Sequence, residues 1–186
     1  MNTSLPAGAA AASPPRLLAN VLSISCLVIA IALPTLTLYT DATQLDAVIK
    51  AMNLPKPPSA ADLTLFQKIA AALLTVMSPL FQAYGLLCAR RCFQKFARGE
   101  YFTLEVVKAL RGFAGGLFFA VIASIVAGTL MSLLFTMNAT EPDGHSLSIS
   151  LDSEQVSRLL FTGILWQIAA VMMRAVRLAE ENSQFV

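Results

Sequence analysis

The sequence predicts an all-α integral membrane protein, a transmembrane four-helix bundle with both termini in the cytoplasm. Three observations predict it. The chain is 56% hydrophobic and only 13% charged, with mean hydropathy +0.69, whereas soluble domains are nearer half apolar and a quarter charged. The apolar excess falls in four blocks, Leu17–Tyr39, Leu65–Ala89, Phe113–Met137 and Leu159–Val176. At 1.5 Å per helical residue each can cross about 30 Å of hydrocarbon. Finally, the basic residues are segregated. Arg16, Arg90, Arg91, Lys95, Arg98, Lys108, Arg111, Arg174 and Arg177 lie on the side of the termini, and Lys50, Lys56, Lys68 and Arg158 on the other. Nine against four, read by the positive-inside rule, places the termini inside.

A chain of 186 residues is long enough for one domain. Residues 1–16, rich in Ala, Ser, Pro and Gly, read as a disordered tail. Residues 17–178 are the transmembrane domain and 179–186 a cytoplasmic tail. The first block runs to Leu38, well past Ala30-Ile31-Ala32, which is too long for a cleaved signal segment. Pro34 frees the carbonyl of Ala30 and invites a bend. Beyond helix 1, Leu45, Val48, Ile49 and Met52 form one face of a short amphipathic helix over Asp41–Asn53. Asp41 or Thr43 is its expected cap, and it is expected to lie on the membrane or over the bundle mouth.

Helix 2 carries Pro79, a second site for a kink, and continues past the membrane to Ala97, where Gly99 stops it. Thr103 is the expected N-cap of helix 3, with Glu105 in its first turn. Helices 2 and 3 therefore form a hairpin that projects into the cytoplasm. Along helix 3, Gly112, Gly116, Ala120, Ser124, Gly128 and Ser132 recur at every fourth position. Such a row lets another helix backbone approach closely, either within the chain or in an oligomer. The second outer loop reads as a short strand over Ser146–Leu151, followed by a capping box, Asp152 with Gln155, that opens helix 4.

Two hydrogen-bonded layers are expected inside the bundle, Ser25 with Gln82, and Thr75 or Thr129 with Gln167, because an amide facing lipid lacks partners. No Asp, Glu or His falls deep in any block, so the usual marks of ion and proton pathways are missing. Cys88 and Cys92 are one helical turn apart, with no further metal ligand nearby, and His145 belongs to the opposite side. They read as small apolar filler rather than a metal site. No catalytic constellation, cofactor motif or metal set is recognised, and the expectation is that the chain is not an enzyme.

The stretch Phe93-Gln94-Lys95-Phe96-Ala97-Arg98-Gly99-Glu100-Tyr101-Phe102-Thr103 has the form F-x-x-F-x-x-G-x-x-F-T, and the chain closes on Ala179-Glu180-Glu181-Asn182 ahead of Val186. With four spans, these segments resemble the bacterial membrane proteins catalogued as domain of unknown function 2975. The resemblance covers nearly the whole chain after Leu17. It implies a bacterial cytoplasmic membrane and, since many such proteins are encoded beside a small helix-turn-helix regulator, a cytoplasmic regulatory partner. It carries no catalytic residue.

The residues themselves point to the same loop. Phe96, Arg98, Gly99, Phe102 and Thr103 form a candidate interaction element, flanked by basic residues that suit anionic headgroups. Nucleic acid is a poorer partner for so short a juxtamembrane segment. The expected function is a non-enzymatic interaction or regulatory protein. The alternative is a small transporter or channel subunit.

Overall fold

The computed structural model describes residues 14–51, 63–101, 103–136 and 153–183. They form four helices: α1 (Pro14–Ala51), α2 (Leu65–Ala97), α3 (Leu104–Thr136) and α4 (Ser153–Ser183). All four are long and apolar enough to cross a membrane. Each exceeds the apolar block that predicted it, because polar turns continue the helix at one or both ends. The helices α2 and α3, 33 residues each, are about 50 Å long.

The helices do not close into a bundle. α1 packs on α2, α2 on α3, and α3 on α4, and among the described residues no other pair of helices brings its backbones within 8 Å. The expected bundle is thus an open row. Helices apolar on all sides find no hydrophobic gain in turning a particular face inward, so close contact forms where small side chains permit it. On α1 these are Ala19, Ser23, Cys26 and Ala30, all buried, at i, i+4, i+7 and i+11. Leu17, Val21, Ile24, Val28 and Ile31 face away and remain exposed.

Helix α1 continues through Pro34 and on to Ala51, with one non-helical residue, Gln44 (φ −131°, ψ 34°). Gln44 thus separates the long helical run from a short helix that follows it to Ala51, as expected beyond helix 1, but this helix starts after Gln44 rather than at Asp41, and neither proposed cap acts as one. The Thr43 hydroxyl donates to Tyr39 O at 2.8 Å, and Asp41 accepts from Thr75. The bend carries Ile49 over the end of the row, where it is buried against Leu63, Ala71 and Met131. Leu45, Val48 and Met52 lie outside the described side chains, as do the expected strand over 146–151 and the cap Asp152.

A capping box does open α2. Gln67 N–H donates to Thr64 Oγ1 at 3.3 Å, and Thr64 N–H donates to Gln67 Oε1 at 3.0 Å. Gln67 Nε2 also donates to Leu134 O at 3.3 Å. One buried amide thus satisfies the start of α2 and a carbonyl in the last turn of α3, both of which lack intrahelical partners.

Candidate functional site

The end of the row formed by the α2–α3 turn carries the chain's densest positive charge. The turn is built locally. Gly99 (φ 85°) takes the left-handed position after α2. Glu100 N–H donates to Lys95 O at 3.1 Å and Gly99 N–H to Phe96 O at 3.0 Å, a Schellman closure of the helix. Thr103 Oγ1 accepts from Val106 N–H at 3.3 Å and caps α3. Between the caps, Phe96 meets Phe93 edge to face with ring centroids 6.3 Å apart and packs tilted against Tyr101 at 5.7 Å. Phe102 lies outside the described residues.

Lys95 fastens this turn. Its ammonium lies 3.1 Å from Glu100 and 2.5 Å from Glu105, joining the end of α2 to the start of α3. The other cations are not consumed in this way. Arg91, Arg98 and Lys108 line a groove of about 400 Å³ between the two helices, together with Tyr84, Cys88 and Glu105. Each of the three is exposed, and none has a carboxylate within 4 Å among the described residues. The arrangement is a stapled turn presenting three exposed cations beside an aromatic cluster. It is suited to binding anionic groups.

The small-residue row of helix 3 faces α2 over its first half. A Cβ placed on Gly116 would sit 2.5 Å from Gly85 Cα, and one on Gly112 would sit 2.9 Å from Cys88 Sγ. Ala120 is buried, and its carbonyl accepts from Ser78 Oγ at 2.9 Å. Ser124 is half-buried and Ser132 buried. Gly128 meets nothing within 4 Å. The Gly85–Gly116 crossing brings the hairpin's two backbones together. Gly85 escaped the sequence reading because its i−4 neighbour is Phe81 and only Ala89 at i+4 is small, so no four-residue row runs through it; a row at seven-residue spacing, Ala71, Ser78, Gly85 and Cys92, is the signal that could have found it. On the other side of α3, Trp166 of α4 packs beside Gly115, with the Arg111 guanidinium 4.7 Å from the centre of its ring.

The expected polar layers do not form. Ser25 Oγ donates to Val21 O at 2.9 Å and Thr129 Oγ1 to Ile125 O at 2.9 Å. Hydroxyls in lipid-facing helices are satisfied by the carbonyl one turn back. Gln167 is exposed on α4, separated from α2 by α3. Thr75 bonds instead to Asp41. Asp41, expected as the cap of a separate helix, lies instead within the helical run of α1 that ends at Gln44. Both residues line a cavity of about 530 Å³ at the end of the row opposite the turn. Comparison with known protein families, characterised proteins and solved structures finds no match to this chain.

Proposed function

We propose that this chain is a non-enzymatic interaction or regulatory protein of a bacterial cytoplasmic membrane, with the α2–α3 turn as its cytoplasmic docking element. The observation that carries this reading is the groove at the turn, where Arg91, Arg98 and Lys108 have no carboxylate within 4 Å among the described residues while Lys95 holds the backbone in place. Preorganised cations beside exposed aromatic surface suit an acidic segment of a cytoplasmic partner. The nine-to-four charge bias supports placing this turn and both termini inside. The F-x-x-F-x-x-G-x-x-F-T loop supports membership in the group catalogued as domain of unknown function 2975.

Photo-crosslinkers at Phe96 and Arg98 in the full-length protein in cells test the reading. A discrete protein adduct that disappears on charge reversal of Arg91 and Lys108 is expected. Recovery of phospholipid adducts alone overturns it. Reporter fusions after Ala60 and after Glu100 test the threading, with only the second expected on the cytoplasmic side.

A further inference from the structure

The cavity at the opposite end of the row holds two charges of opposite sign that do not neutralise each other. Asp41 of α1 is tied only to the Thr75 hydroxyl, through Oδ2, and its Oδ1 has no partner among the described residues. Lys68 of α2 lines the same space and is exposed, with no carboxylate within 4 Å among the described residues. Met131 of α3 contributes to the wall. Gln44, the residue at which α1 leaves helical geometry, lies on the rim. The volume, about 530 Å³, is that of a small-molecule site.

The charges restrict what can bind. A simple cation drawn to Asp41 meets the Lys68 ammonium, and a simple anion drawn to Lys68 meets the Asp41 carboxylate. A species with both charges on a short frame satisfies each at once, and charge-assisted hydrogen bonds of this kind are the stronger ones. We propose that this cavity binds a zwitterion consisting of a primary ammonium, held by Asp41, joined by a short chain to a carboxylate or phosphate, held by Lys68. Thr75 acts as a positioning residue by fixing the Asp41 carboxylate. A free α-amino acid and a phosphatidylethanolamine headgroup both present this chemistry.

The test uses the full chain. One arm measures the thermal stability of detergent-purified protein against a panel of free α-amino acids, with ethanolamine and acetate as single-charge controls. The other measures retention of phosphatidylethanolamine by native mass spectrometry, from nanodiscs of phosphatidylcholine with and without it. Saturable binding in one arm is expected, with the single-charge controls inactive in the first. Asp41→Asn and Lys68→Gln are each expected to weaken it at least about tenfold, the equivalent of one charge-assisted hydrogen bond. Binding only in the first arm identifies a soluble ligand, and only in the second a lipid. Absence of binding in both arms overturns the proposal. So does equal binding of ethanolamine or acetate, or undiminished binding by two folded variants. If either variant fails to fold, the wild-type preference for the zwitterion over its single-charge fragments decides.

Discussion

Replacing Gly116 by alanine tests the packing of the α2–α3 hairpin most directly. The added Cβ would lie 2.5 Å from Gly85 Cα, 2.7 Å from Gly85 N and 3.0 Å from Phe81 O. All three are backbone atoms, so no side-chain rotation relieves the overlap. Carbon atoms pack best at about 3.5–4.0 Å, so the helices must separate by roughly 1 Å at the crossing. A gap of that size forfeits about a quarter to a half of the dispersion energy of the contacts it opens. Overpacking of this kind costs about 1–3 kcal/mol. Gly128→Ala is the control, since nothing lies within 4 Å of its added Cβ. Both glycines are interior to α3, so the helix-propensity gain of alanine cancels in the comparison. Reversible unfolding in mixed micelles, followed by helicity, is expected to rank Gly116→Ala about 1–3 kcal/mol below Gly128→Ala. Gly112→Ala should fall between them and recover when combined with Cys88→Ala, because its clash is with the Cys88 side chain. Equal stability of the Gly116 and Gly128 variants would refute the close crossing.

Gln67→Leu removes both the capping box and the bond to Leu134 O, and a loss of about 1–3 kcal/mol is expected in the same unfolding assay. Lys95→Met unfastens the turn from Glu100 and Glu105; faster hydrogen exchange at the Gly99 and Glu100 amides is expected, with the helix interiors unchanged. Trp166 is the only tryptophan, so its fluorescence reports the α3–α4 contact. Arg111→Ala should shift its emission and quenching, whereas Arg174→Ala should leave both unchanged.

The open row has a consequence for assembly. Among the described residues α4 packs only on α3, and α1 packs along α2 and nears α3 only at its bent end through Ile49, leaving broad apolar faces such as Val156, Leu160, Ile164 and Val171 on α4. In lipid such faces carry no penalty, and they need no protein to cover them. The small-residue row on α3 that raised a dimer face in the sequence is occupied over its first half by α2.

The sequence by itself determined what depends on short stretches of chain. Four apolar blocks required four helices, Gly99 ended one and Thr103 began another, because a left-handed turn and a side-chain cap are satisfied within a few residues. The Thr64–Gln67 box was legible by the same rule and passed over. Tertiary structure decided which helices touch. A span that is apolar all round has no stripe marking its inner face, so the sequence could not distinguish a closed bundle from a row. The same indeterminacy hid the Asp41–Thr75 bond, whose partners are 34 residues apart. A carboxylate expected to cap a separate helix lies in a cavity because α1 continues past it and bends only at Gln44.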